Sequence, residues 1–277
     1  MLTSTQSILE KAQSHKYAVA AFNIYNLEGI VAVIRAAEQT EAPVILQLHP
    51  PTSNLWGREL ASLCLSAANK SDADVSVHFD HADSKKTINQ AIDFGITSIM
   101  VDGSLKEYQE NIDFTQFHTD KIHSIDGFVE AELGRLSGTE DGLSIPEKNA
   151  RMTNPDLLLD FCSKTKIDAL AVCVGNVHGK YIKDPNIDFL RLEKIRSFIE
   201  IPLVMHGASG LPVNIIKRCI DMGISKFNIN TELRQGYIQA IANIDRKSNV
   251  DILDIMNETI SAMTNTAIKK IRLFSGI

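Results

Sequence analysis

Short apolar runs of strand length alternate with helically spaced stretches along nearly the whole chain. The runs cover residues 18–24, 43–48, 75–80, 98–102, 127–133, 169–174, 202–206 and 226–230. Between them, residues 27–41, 84–94, 188–199 and 212–222 place apolar side chains at helical intervals. Continuous apolar strands separated by helices predict a parallel sheet covered on both faces. Eight such units without interruption fit a (β/α)8 barrel, a single domain over residues 1–277. A doubly wound sheet is the weaker fit, since the chain contains no Gly-x-Gly-x-x-Gly fingerprint. A last amphipathic stretch, residues 251–274, predicts an additional C-terminal helix that lies across the barrel or joins a partner subunit.

Composition narrows the class. The chain has 277 residues, 44% hydrophobic and 22% charged, which is enough to bury one large core. Its net charge of −6 argues against a nucleic-acid partner, which calls for basic patches. No apolar run approaches the ~20 residues of a membrane span, and the first residues lack the pattern of a signal peptide. Cys64, Cys162, Cys173 and Cys219 show no Cys-x-x-Cys spacing and read as reduced thiols. The expectation is a soluble cytoplasmic protein that acts on small molecules.

The polar residues at the ends of the apolar runs form one list. Asp80 and His81 end the third run, Asp102-Gly103-Ser104 the fourth, and Glu130 and Glu132 the fifth. Asn176-Val177-His178-Gly179 follows the sixth, His206-Gly207-Ala208-Ser209-Gly210 the seventh, and Asn228-Ile229-Asn230-Thr231 ends the eighth. In a parallel barrel these ends open on one face, so His81, His178 and His206 can converge on one metal and leave a coordination position open. Residues 133–153, with Gly134, Gly138, Gly142 and an acidic Glu140-Asp141 pair, read as a flap over that face.

Each residue also has an ordinary structural reading. His15, His118 and His123 are read as hydrogen-bonded structural groups. His78 shares its inward parity with Asp80 and is read as a satisfied interior residue. Asp80, Ser209 and Thr231 are all acceptable helix N-caps. Asp102 and Glu132 divide between structural and metal-orienting roles, and Glu140 is also readable as a solvated loop acid.

Taken together, Ala20-Ala21-Phe22-Asn23, His78-Phe79-Asp80-His81, Met100-Val101-Asp102-Gly103-Ser104, Glu130-Ala131-Glu132-Leu133-Gly134, Val177-His178-Gly179, His206-Gly207-Ala208-Ser209-Gly210 and Asn228-Ile229-Asn230-Thr231-Glu232 resemble the class II, zinc-dependent ketose-bisphosphate aldolases, which include fructose- and tagatose-bisphosphate aldolases. The resemblance spans most of the chain. It implies Zn²⁺ on His81, His178 and His206, with Asp80 and Glu140 as proton carriers and Asp102 and Glu132 orienting ligands or serving a second metal position. It further implies dihydroxyacetone phosphate as a substrate, with a monovalent cation (Na⁺ or K⁺) beside it. Gly179, Gly207, Ala208 and Ser209 allow close backbone approach to a phosphate, and Asn228, Asn230 and Thr231 lie at a predicted helix N-terminus that favours one. Lys183 is an additional candidate. Homodimers or homotetramers are common in the family, and some tagatose-type relatives need a companion subunit.

Two features depart from the family pattern. The C-terminal Leu273-Phe274-Ser275-Gly276-Ile277 lacks the basic residue that contacts the second phosphate. The segment Gln47-Leu48-His49-Pro50-Pro51-Thr52-Ser53 replaces the small residues usual after the second strand. An unphosphorylated or sugar-acid-derived aldehyde is therefore an alternative to a bisphosphate substrate. A zinc hydrolase on the same barrel is disfavoured because the chain has no His-x-His pair. A non-catalytic aldolase-like subunit is disfavoured because the histidines and Asp80 are retained.

Overall fold

The computed structural model describes residues 1–140, 143–145, 150–179, 181, 184–244 and 251–277, with the backbone alone at 139, 140 and 143–145. In chain order it contains α1 (Thr5–Ser14), β1 (Val19–Asn23), α2 (Leu27–Thr40), β2 (Val44–Leu48), α3 (Pro50–Lys70), β3 (Val75–Ala82), α4 (Lys85–Asp93), β4 (Ser98–Val101), α5 (Tyr108–His123) and β5 (Phe128–Leu133). A hairpin of β6 (Ser137–Glu140) and β7 (Leu143–Ile145) precedes α6 (Leu158–Thr165), β8 (Ala169–Val172) and β9 (Val177–His178). The remainder is α7 (Phe189–Phe198), β10 (Leu203–Met205), α8 (Val213–Asp221), β11 (Ile224–Ile229), α9 (Thr231–Ala242) and α10 (Ile252–Ser275).

β1, β2, β3, β4, β5, β8, β10 and β11 close into a parallel barrel in that order. Each falls within two residues of an expected apolar run, and the expected helices appear as α2, α4, α7, α8 and α10. The fold is the (β/α)8 barrel with a C-terminal helix. Local chemistry sets the helix starts: Asn26 accepts from the Gly29 amide at α2, and Ser84 and Thr87 form a capping box at α4.

Two apolar layers hold the barrel. One packs the outward strand faces against the helices, and includes Phe22, Leu46, Phe79, Phe161 and Phe227. The other fills the lower interior with Val19, Ala21, Ile45, Met100, Phe128, Ala169, Ala171 and Val204, and α1 closes it with Ile8, Leu9 and Ala12. Burying a leucine such as Leu9 contributes roughly 1.5–3 kcal/mol. α10 packs mainly on α2 and α9, and its Phe274 ring lies 4.7 Å from that of Phe227. Among the described residues, no helix is long and apolar enough to cross a membrane.

Candidate metal and substrate centre

The interior above the apolar floor is polar, which fits a barrel whose strand ends carry the chemistry. Adjacent residues of a regular strand point to opposite faces, so Asp80 and His81 cannot both face inward from an undistorted β3. The register between β3 and β4 slips between Phe79 and Ala82, and His81 takes the left-handed region at φ 51°. This bulge turns both side chains into the cavity. His81 Nε2 then lies 3.9 Å from Asp80 Oδ2, and Asn228 Nδ2, from β11, lies 3.3 Å from each Asp80 oxygen.

The three expected histidines come together. Ligand nitrogens of His81, His178 and His206 all lie within 4.8 Å of one another. Behind His81, Nδ1 donates to Asp102 Oδ2 at 2.7 Å, and Asp102 Oδ1 accepts the Ser104 amide at 2.9 Å. Burial works against the Asp102 charge, but the hydrogen bond and charge of His81, with the Ser104 bonds, hold its pKa well below the usual carboxylate range. Behind His206, Nε2 donates to Glu130 Oε1 at 2.8 Å. These carboxylates leave His81 Nε2 and His206 Nδ1 facing each other 3.2 Å apart. With the outer nitrogens protonated, both inner nitrogens present lone pairs, an arrangement that a cation between them satisfies. Three neutral imidazoles with a carboxylate behind two of them suit zinc.

Glu132 and Cys173 lie beside this group. The Cys173 thiol donates to Glu132 Oε1 at 2.9 Å. Burial, and then the neighbouring Asp102 charge, push the Glu132 pKa upward. His81, Asp102 and Glu132 form a second set with ligand atoms within 4.8 Å of one another, compatible with an alternative metal position.

Beneath His206 lies a group whose role the sequence reading did not assign. Glu130 and Lys226 are fully buried, and Lys226 Nζ lies 2.6 Å from Glu130 Oε2. Burial opposes the Glu130 charge, but Lys226 and the hydrogen bond from His206 bring its pKa well below normal. His78 Nδ1 meets Ser98 Oγ at 2.7 Å, and burial followed by the Lys226 charge pushes its pKa down to about 3. The available signal was parity: Lys226 aligns with Asn228 and Asn230 on an otherwise apolar strand, where a charge requires a buried partner.

The hairpin is tied to the same site. What reads as a long loop contains antiparallel β6 and β7, and β6 pairs in parallel with β9 through Gly138 and His178. A Cβ on Gly138, whose φ is 110°, would meet the His178 carbonyl oxygen at 2.2 Å. Glu140 ends β6, but its side chain lies outside the described residues, as does all of Lys183.

The expected phosphate region is also assembled. Gly207 lies so close to Val177 that a Cβ would fall 2.0 Å from the Val177 oxygen, and Tyr181 donates to the Gly207 carbonyl. Ala208 and Ser209 are buried, and the Gly210 amide donates to Glu232 Oε1 of α9 at 2.7 Å. Gly179 follows β9 in the left-handed region at φ 85°. Asn230 is the N-cap residue of α9 and accepts from Tyr25 at 2.7 Å, while Thr231 is its first helical residue. None of the three residues considered as caps takes that position. Pro212 precedes α8, Asn230 precedes α9 and Ser84 caps α4, so Ser209, Thr231 and Asp80 are released from that role.

Several buried polar atoms have no hydrogen-bond partner among the described residues: Asn23 Oδ1, both amide atoms of Gln47, Ser53 Oγ, Ser209 Oγ and Asn228 Oδ1. Asn23 and Gln47 are register partners at the ends of β1 and β2. Atoms of this kind call for a polar ligand or water. Of the histidines read as hydrogen-bonded structural groups, His15 bonds to Lys11 O and His123 to Asp168, whereas His118 packs against Phe114 and Phe117 and its buried Nδ1 has no hydrogen-bond partner among the described residues.

Residues 3–276 match the family described as fructose-bisphosphate aldolase class-II. The YdjI aldolase from Escherichia coli K12 is 33% identical, with 99% of this chain and 97% of that chain covered and a TM-score of 0.89. A protein described as a fructose-1,6-bisphosphate aldolase from Coccidioides immitis is 30% identical, with 98% and 95% covered and a TM-score of 0.93. The fructose-bisphosphate aldolase Fba from Campylobacter jejuni, 20% identical with 100% and 96% covered, shares the fold at a TM-score of 0.81.

Proposed function

Because the chain belongs to the class II fructose-bisphosphate aldolase family, we propose that it reversibly cleaves a ketose phosphate to dihydroxyacetone phosphate and an aldehyde. The observation that carries this reading is the pair of inner imidazole nitrogens, His81 Nε2 and His206 Nδ1, 3.2 Å apart with carboxylates behind both rings. His81, His178 and His206 would hold Zn²⁺, which supplies Lewis-acid polarisation of the ketone and charge neutralisation for the enediolate.

The chain's own groups move the protons. Asp80 takes the proton from the hydroxyl at the bond being cleaved and returns it in synthesis. Asn228 Nδ2, 3.3 Å from both Asp80 oxygens, holds that carboxylate in place. Glu140 is assigned the proton transfer at the enediolate carbon, and the support for it is that its strand β6 pairs with β9 through Gly138 and His178. Gly179, Gly207, Ala208 and Ser209, with the start of α9 at Asn230 and Thr231, bind the phosphate, and Lys183 is assigned to the same group. A monovalent cation beside that phosphate, a cytoplasmic location, a single-domain chain and a homo-oligomeric assembly belong to the same reading.

Fructose- or tagatose-1,6-bisphosphate is one candidate substrate. The unpartnered Asn23 Oδ1, Gln47 amide and Ser53 hydroxyl favour a second reading, in which the aldehyde is recognised through hydroxyl or acid groups. An enzyme-coupled assay for released dihydroxyacetone phosphate compares a ketose 1-phosphate with its 1,6-bisphosphate. Comparable kcat/KM supports the second reading, whereas a strong bisphosphate preference rejects it. No release from either series by the zinc-loaded protein contradicts the proposed function.

A further inference from the structure

The geometry points to Glu130 and Lys226 as positioning residues. We propose that this buried pair holds His206 as the Nε2–H tautomer, so that Nδ1 carries the lone pair directed at His81. The consequence for metal affinity rests on the zinc reading above, but the tautomer assignment does not.

The two oxygens of Glu130 have separate partners. Oε1 lies 2.8 Å from His206 Nε2, and Oε2 lies 2.6 Å from Lys226 Nζ. His206 Nδ1 faces His81 Nε2 at 3.2 Å. If His206 carried its proton on Nδ1, its Nε2 lone pair would face a carboxylate oxygen, a repulsive contact in a site closed to water. The carboxylate therefore selects the tautomer, and Lys226 fixes the carboxylate's orientation and balances its charge. His78 and Ser98 support the same side: His78 Nε2 lies 3.7 Å from Glu130 Oε2, and Ser98 Oγ, 2.7 Å from His78 Nδ1, also meets Thr5 of α1 at 2.6 Å.

Stability alone does not account for this pair. Both groups are fully buried, and apolar replacements of similar volume are often neutral or stabilising at such positions. A pair that is costly to bury and specific in its contacts fits a positioning role.

The test is a long-range ¹H–¹⁵N correlation spectrum of histidine-labelled protein, paired with zinc affinity from chelator competition. The wild-type, metal-free spectrum is expected to show His206 as the Nε2–H tautomer; an Nδ1–H tautomer there overturns the proposal without any variant. The double variant E130L/K226M removes the acceptor and leaves no unpaired charge. It is expected to give a mixed His206 tautomer and zinc affinity weaker by ~10–100-fold. The conservative E130Q/K226M keeps an amide oxygen for Nε2–H and is expected to restore most of both. A folded E130L/K226M with the wild-type tautomer and wild-type affinity overturns the proposal. Absence of zinc binding by the wild type would instead reject the metal reading, and the metal-free spectrum would still decide the tautomer.

Discussion

His81 Nδ1 lies 2.7 Å from Asp102 Oδ2, and that one hydrogen bond determines which nitrogen of His81 faces the cavity. The imidazole is thereby turned with Nε2 toward His206 and Asp80. The Asp102→Asn variant loses the charge and allows an amide N–H to face the ring. Zinc affinity is expected to fall ~10–100-fold in chelator competition, with little change in thermal stability. Unchanged affinity would mean that Asp102 does not orient His81.

Asp80 separates chemistry from metal binding. It is not among the three imidazoles, yet it lies 3.9 Å from His81 Nε2. For Asp80→Ala, kcat is expected to fall by ~10²–10⁴-fold while zinc content stays at the wild-type level. Metal analysis alongside steady-state kinetics checks both, and loss of zinc together with activity would reassign Asp80 to metal binding.

The hairpin depends on Gly138. Any side chain there would strain a φ of 110° and collide with the His178 carbonyl. Gly138→Ala is expected to displace β6 from β9 and lower kcat by about tenfold or more, at a strain of roughly 1–3 kcal/mol. A variant with wild-type kcat would show that this pairing is dispensable.

His118 gives the fold a pH dependence remote from the site. Burial, and then the charges of Lys121 and Lys85, push its pKa down to about 4, against ~6.5 in an unfolded chain. Between those values the unfolded state binds more protons, so its share of stability is present above pH ~6.5 and is lost as pH falls toward 4. That share is about 1–2 kcal/mol after allowance for solvent screening. Urea unfolding from pH 6.5 to 4 is expected to show a flatter decline for His118→Leu than for the wild type. Parallel declines would remove His118 from this account.

Leu9 tests the lower plug. Leu9→Ala is expected to cost ~2–5 kcal/mol in urea unfolding, because the closed barrel mouth cannot collapse around the cavity. Catalysis in the surviving folded protein should be unaffected, and a loss below 1 kcal/mol would show that α1 does not seal the barrel.

Much of this was legible along the chain for specific reasons. Ala169 to Val172 is apolar without alternation because that strand is covered on both faces, while Val75, Val77 and Phe79 alternate with the buried polar Ser76, His78 and Asp80. The histidines stood out because each follows a strand-length run. The inward turn of both Asp80 and His81 was not legible. Strand periodicity places neighbours on opposite faces, and no glycine marked the bulge at His81. Glu130 and Lys226 are 96 residues apart, and only barrel closure brings them together. The β6–β7 hairpin was hidden for a related reason: its outer pairing is with two residues of β9, too short a strand to leave a pattern.

The central claim is that a metal held by these histidines stabilises the enediolate of dihydroxyacetone phosphate. Its most direct test is exchange of a substrate carbon-bound proton in heavy water, before and after treatment with a chelator. This half-reaction requires no aldehyde. The account predicts exchange that the chelator abolishes and added zinc restores. Absence of exchange from zinc-loaded protein, or exchange indifferent to the chelator, would contradict it.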